Sequence, residues 1–241
     1  MKKIIIVSIA SVLTIAVAIV CILIIISAKT TIDRSESYTK AMEEFHEVVN
    51  SDSPDKAKKM KELAGDIKSE GDYARVEKAV KEYMCDVIIP FEEAASVQND
   101  GIYTTSISIE LLQNDAPDFA KPYATMATME EKLDGIQKVV DTLFEREAAM
   151  KYLDGDLDDS YISLFEEEAN DIYNDPDFKQ SYVDYIETLR TITFHYRNIL
   201  DFLVANNGNW HLEDGAIAFK TTQLTDQYNN LAKELKSISD N

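Results

Sequence analysis

The sequence predicts an all-α protein: an N-terminal transmembrane helix, then an extracytoplasmic helical bundle carrying one short β-hairpin near the C-terminus. Three observations carry that reading. Ile4 to Ala28 is an unbroken apolar run. Beyond it, apolar residues recur at alternating spacings of three and four, the signature of a helix with one buried face. Only seven glycines and five prolines occur in 241 residues, too few for an architecture made of strands and turns.

Taken in order, residues 1–3 form a short N-terminus in which Lys2 and Lys3 flank the apolar run. Residues 4–28 follow as the membrane anchor, because at ~1.5 Å per residue they exceed the ~30 Å hydrocarbon core of a bilayer. A cleaved signal peptide needs only ~7–15 apolar residues and a small-x-small cut site. Ile25-Ile26-Ser27-Ala28 fits that rule poorly, and Ala18-Ile19-Val20 lacks the small residue expected before a lipid-modified Cys21. A basic N-terminus ahead of a long span gives the orientation of a signal-anchor, N-terminus inside and residues 30–241 outside.

Residues 30–241 read as one acidic helical-bundle domain. Short helices fit Tyr38–Val49, Ser53–Ile67, Thr105–Leu112 and Ser160–Tyr173. Ser53 serves as the cap of the second, with Pro54 at its first position. Tyr73, Val76, Val80, Tyr83 and Val87 mark a longer helix that continues past Pro90 toward Ala95. Met126, Met129, Leu133, Ile136, Val140 and Leu143 mark another, running on to Leu153. The longest stripe is Phe178, Tyr182, Tyr185, Leu189, Ile192, Tyr196, Ile199 and Leu203, opened by Asp175-Pro176. Leu224, Tyr228, Leu231, Leu235 and Ile238 form the last. Between these two, residues 209–220 break the period. Asp214-Gly215 is a hairpin-turn pair flanked by alternating residues, with Trp210 and Leu212 set to face Ile217 and Phe219.

Charge and cysteine content narrow the function classes. Lys2, Lys3 and Lys29 are the charged residues of the first 29, so all 44 acidic residues lie beyond them in a chain of net charge −20. That surface repels nucleic acid and anionic lipid headgroups, which excludes nucleic acid as a partner. Cys85 is the one cysteine of the exported part and has no intramolecular disulfide partner, as is common in exported proteins of Gram-positive-type bacteria.

Few residues offer chemistry. Asp154, Asp156 and Asp158 alternate as in the opening of a calcium loop, but Asp159 stands where that loop needs glycine and Phe165 where it needs glutamate. Asp158 or Ser160 also serves as the cap of the next helix, so the three aspartates are at most an adventitious cation site. Glu43-x-x-His46 has di-iron spacing but lacks the second pair and the two further glutamates such a centre requires. Neither His195 nor His211 completes a set. No nucleophile elbow and no glycine-rich phosphate loop occurs, so no catalytic residue and no cofactor is assigned. Trp210 and Tyr196 are the candidates for lining a ligand pocket between helices.

Met150-Lys151-Tyr152-Leu153 with Leu157-Asp158-Asp159-x-Tyr161 is similar to sequence of single-pass membrane-anchored helical proteins of Gram-positive bacteria. So is the tail, Trp210-x-Leu212-x-Asp214-x-x-Ile217-x-Phe219 with Leu224 and Tyr228-Asn229-x-Leu231. The resemblance implies an exported helical domain and carries no activity, ligand or site residue. Taken together, the expectation is a non-enzymatic cell-envelope protein that uses residues 4–28 to hold the membrane and binds another envelope or membrane protein. Two alternatives stand beside it: an extracytoplasmic small-molecule sensor working through a membrane partner, and an envelope hydrolase whose carboxylates converge only in the fold.

Overall fold

The computed structural model describes residues 29–98 and 109–238. The expected anchor over 4–28 and the N-terminus 1–3 lie outside the described residues, as does the first half of the helix expected over Thr105–Leu112. Among the described residues, no helix is long and apolar enough to cross a membrane. The described residues are mostly helical, at 77%, with a two-stranded antiparallel hairpin near the C-terminus.

In chain order the elements are α1 (Lys29–Val49), α2 (Lys56–Gly65), α3 (Asp72–Gln98), α4 (Ile109–Asp115), α5 (Ala120–Thr142), α6 (Arg146–Ala149), a 3-10 turn (Met150–Tyr152), α7 (Asp159–Tyr173), α8 (Pro176–Ala205), β1 (Trp210–Glu213), β2 (Ala216–Phe219) and α9 (Thr222–Ser237). The stretch read as one bundle domain divides into two compact units. Of the described residues, one takes 29–89 together with Thr142–Asp175; the other takes 90–98 and 109–141 together with 176–238. Helix α3 runs unbroken through Pro90, contributing to the first unit up to Ile89 and to the second beyond it.

In the first unit, Tyr38, Met42 and Phe45 from α1, Met60 from α2, and Tyr73, Val76, Val80 and Tyr83 from α3 are all buried, with Phe165 and Ala169 of α7. The apolar positions expected on α3 are therefore the ones removed from water. A polar pair is buried among them. Glu77 and Lys81 stand one turn apart on α3 with 0% and 1% of their side chains exposed, and Lys81 Nζ lies 2.5 Å from Glu77 Oε1. Lys81 Nζ also donates to the carbonyls of Leu63 and Asp66, each at 3.0 Å, at the C-terminal end of α2 where carbonyls lack helical partners. Glu77 in turn accepts from the backbone N–H of Lys68 and of Ser69, and from the Ser69 hydroxyl. One ion pair thus fastens the whole α2–α3 connection. Burial alone would raise the Glu77 pKa; the Lys81 and Ser69 hydrogen bonds outweigh it and hold the carboxyl below its ordinary range.

Two helix boundaries differ from the sequence reading, each for a local reason. Helix α2 begins at Lys56 rather than Pro54, because Ser53-Pro54 forms a turn in which Ser53 Oγ accepts from Asp55 N at 3.3 Å. Helix α5 stops at Thr142 instead of reaching Leu153. The Tyr83 hydroxyl donates to the Leu143 carbonyl at 3.0 Å, taking the acceptor a continuing helix would use. Helix α1 already runs from Lys29, the first described residue, so the segment ahead of Tyr38 is helical too.

In the second unit α5 and α8 run antiparallel, as three cross-pairs show. Arg190 meets Asp134 at 2.9 Å, Arg197 meets Glu130 at 2.8 Å, and Tyr123 donates to Asp201. The buried residues of α8 are Tyr182, Ile186, Leu189, Thr193, Tyr196, Ile199, Leu200 and Leu203. Tyr182, Leu189, Tyr196 and Leu203 were on the expected stripe and form its centre. Phe178, Tyr185 and Ile192 are only half-buried, while Ile186, Thr193 and Leu200 on the other flank are covered. Thr193 tolerates this because its hydroxyl donates to the Leu189 carbonyl at 2.7 Å. Glycine at 208, with φ +80°, follows the end of α8.

This packing sets three expectations. Residues 30–241 should melt cooperatively on their own, and Leu189→Asp, which places a charge at a position 1% exposed, should abolish the transition by circular dichroism. Lys81→Met should lower stability in urea by about 3–5 kcal/mol, since it leaves a buried carboxylate without its cation. Because the folded-state pKa of Glu77 is depressed, its contribution is present above the unfolded carboxyl pKa of ~4.3 and is lost as pH falls below it. Urea melts from pH 6 to pH 3 should show wild type losing stability across that window, with Glu77→Gln showing a smaller loss.

Candidate functional site

The hairpin has the geometry its residues require. Trp210 pairs with Phe219, Leu212 with Ile217 and Glu213 with Ala216. The turn residues Asp214 and Gly215 have φ of 48° and 76°, so both carry the positive φ of a type I′ turn. Its half-buried side chains Trp210, Leu212, Ile217 and Phe219 pack on a core of Leu112, Phe119, Met126, Tyr196, Ile199, Leu200, Leu203 and Leu235.

Trp210 and Tyr196, separate in sequence, are thus brought to one cluster. Both are occupied there. The Trp210 indole N–H donates to the Leu203 carbonyl at 2.8 Å, and its ring stacks on Phe119 at 6.4 Å between centroids. Tyr196 is 2% exposed, and burial, then the neighbouring Tyr228, push its phenol up to about 12. Phe119 is the partner that sequence reasoning missed. It holds φ at +49° although it is not glycine, and its ring is fully buried. Such a backbone persists where the surroundings fix it, here by burial of the ring beneath the indole.

The acidic loop is also organised from within. Arg75 of α3 donates to the carbonyls of Asp154 and Asp156 and pairs with Asp72 at 2.9 Å. The loop therefore bends around a guanidinium supplied by its own chain. Gly155 permits this, with φ +70° and a position where a Cβ would lie 2.5 Å from Arg75 Nη2. Asp158 is the N-cap of α7 in extended conformation, and its carbonyl accepts from Tyr161 N at 2.9 Å. Its carboxylate makes no capping bond, so the expected cap is met in position and not through the side chain. Among the described residues, no group of three or more His, Cys, Asp or Glu side chains is placed to hold a metal ion.

Glu43 and His46 part company: Glu43 is exposed, while His46 turns inward with Nε2 at 3.2 Å from Glu168 of α7. His195 Nδ1 lies 3.5 Å from Glu234 of α9, and His211 Nε2 lies 3.7 Å from the exposed Glu213. Cys85 is buried, and burial, followed by the charge of Asp86, pushes its thiol up to about 12, far from a reactive thiolate. No family model, no curated protein and no solved structure matches this chain.

If Trp210 is a packing residue, Trp210→Phe should keep the fold while orphaning the Leu203 carbonyl. The expected cost is about 1 kcal/mol in urea unfolding, with the near-ultraviolet aromatic signal of the remaining residues retained.

Proposed function

We propose that this is a non-enzymatic cell-envelope protein, held by a single membrane-spanning helix over 4–28 with its N-terminus inside. Its exported helical part, 30–241, binds a protein or another envelope component through its surface. The apolar run from Ile4 to Ala28 is the observation that carries the reading, because hydrocarbon-length apolar sequence has few uses in water. Surface binding is favoured over a buried ligand pocket by the state of the two aromatic candidates. The Trp210 indole N–H and ring and the Tyr196 side chain already have intramolecular partners.

Topology is the first test. An alkaline phosphatase fusion after Asn241 should be active, and the mature protein should begin within residues 1–3. A mature N-terminus near Lys29 would remove the anchor and the proposal with it. Crosslinking of the full chain in native membranes should then join a defined partner to residues 30–241.

A further inference from the structure

Five of the seven glycines follow an aspartate or an asparagine, and Gly208 alone follows asparagine. In such a pair the backbone nitrogen of glycine is within reach of the preceding side-chain carbonyl carbon, and no Cβ on the glycine obstructs the approach. The fold decides which pair can react. Gly135 lies inside α5, so its N–H belongs to the helical ladder, and Asp134 is paired with Arg190. Gly155 is crowded by Arg75, which also takes the Asp154 carbonyl. Asp214 and Gly215 are held at the hairpin turn by the closing pair Glu213 and Ala216, and a carboxylate is a poor electrophile. Asp100-Gly101 lies outside the described residues.

Asn207 and Gly208 escape these restraints. Both are exposed, between the end of α8 and the start of β1. The turn closes around them: Asn209 N donates to the Asn206 carbonyl at 2.9 Å. With φ +80° at its third residue, Gly208, this is a type II turn, and the closing bond does not use the Gly208 N–H. Nothing lies within 4 Å of the place a Gly208 Cβ would take, so the glycine is uncrowded there.

We propose that Asn207-Gly208 is a self-modifying site, where the chain converts its own amide into aspartate and isoaspartate and thereby loosens the hairpin seal. The Gly208 nitrogen gives its proton to a base in water and bonds to Asn207 Cγ. The Cγ–Nδ2 bond breaks, and the amide nitrogen takes up a proton and leaves as ammonia. Water then opens the five-membered imide. Opening at Cγ leaves aspartate. Opening at the former backbone carbonyl leaves isoaspartate, whose main chain runs through the side chain and is one methylene longer. Water is the co-reactant, and nothing is oxidised or reduced. The inference stands apart from the envelope reading.

Both products act on the hairpin. Each puts a carboxylate just past the C-terminus of α8, where the last carbonyls already carry partial negative charge. Isoaspartate also lengthens the short stretch between two anchors, the Leu203 carbonyl and the Trp210 indole N–H that donates to it at 2.8 Å. The turn from Asn206 to Asn209 cannot close unchanged around the added atom, and the Asn209 carbonyl accepts from Lys220 N at 3.0 Å. The start of β1 therefore shifts, and with it the Trp210 ring stacked on Phe119.

Ageing the full chain in detergent, with peptide mapping by mass spectrometry and enzymatic labelling of isoaspartate, tests the site. Asn207 should convert to both products, faster at pH 8 than at pH 6 because the attacking nitrogen must lose its proton. Asp134-Gly135 and Asp154-Gly155 should stay intact. A synthetic peptide spanning 203–212 sets the unrestrained rate, and conversion more than about tenfold slower in the folded chain would overturn the proposal, since the fold would then protect the pair. Trp210 is the one tryptophan of the chain, so its quenching by acrylamide reads the seal. Quenching should rise in step with isoaspartate content and stay flat in Asn207→Gln aged alongside, whose longer side chain closes the imide ring far more slowly. Unchanged quenching in converted wild type, or an equal rise in aged Asn207→Gln, would overturn the loosening.

Discussion

The first unit depends on an ion pair that water does not reach. Glu77 and Lys81 are spaced as an ordinary exposed helix pair, yet both are buried, with Lys81 Nζ 5.9 Å from the centre of the Phe45 ring of α1. Two buried charges would oppose folding if they satisfied only each other. What offsets their desolvation is the backbone they serve. Lys81 takes two carbonyls at the end of α2 and Glu77 takes two N–H groups of the next turn. Four backbone groups between Leu63 and Ser69 thereby meet the two buried side chains, although Gly65, Asp66 and Lys68 themselves are exposed. Replacing the pair with apolar residues would remove two charges and also strand the Asp66 carbonyl and the N–H groups of Lys68 and Ser69, while the Leu63 carbonyl keeps the Asp66 N–H.

The second unit solves a different problem, how to close the end of a long helix pair. Helix α8 buries a face wider than a coiled-coil seam, centred on Tyr182, Leu189, Tyr196 and Leu203 and flanked on both sides. Near the end of that face the chain turns at Gly208 and folds a hairpin whose half-buried side chains cover Leu203 and its neighbours. Phe219, Phe202 and Tyr228 then meet ring to ring, tying β2 to α8 and α9. Trp210 belongs to this seal, which explains why the most conspicuous aromatic residue of the chain makes its polar contact with the backbone of α8.

Periodicity and turn chemistry made most of this legible. The centre of the α8 stripe, the start of that helix at Pro176 and the Asp214-Gly215 turn are local features, and local rules find them. Ile186, Thr193 and Leu200 escaped because two neighbouring heptad stripes share the same central residues, and only the packing partner selects the flank. Glu77 and Lys81 escaped because a Glu–Lys pair one turn apart is written identically on an exposed face and a buried one. Glu168 opposite His46, and Arg75 within the acidic loop, join residues separated by long stretches of chain. No spacing rule encodes such meetings, and the candidate sites were correspondingly less readable than the helices.

The order of the units along the chain has a consequence for how the protein is made. Neither unit is a continuous stretch: the first is interrupted after Ile89 and resumes at Thr142, and the second is interrupted after Asp141 and resumes at Pro176. A chain emerging N-terminus first therefore presents α1, α2 and the start of α3 before α7 exists to cover them. At ~5–20 residues per second the wait is on the order of ten seconds, during which Tyr73 lacks the ring of Tyr161, and Tyr83 those of Tyr152 and Phe165. Those rings stay exposed through that interval, and no cut between consecutive residues can separate the two units intact.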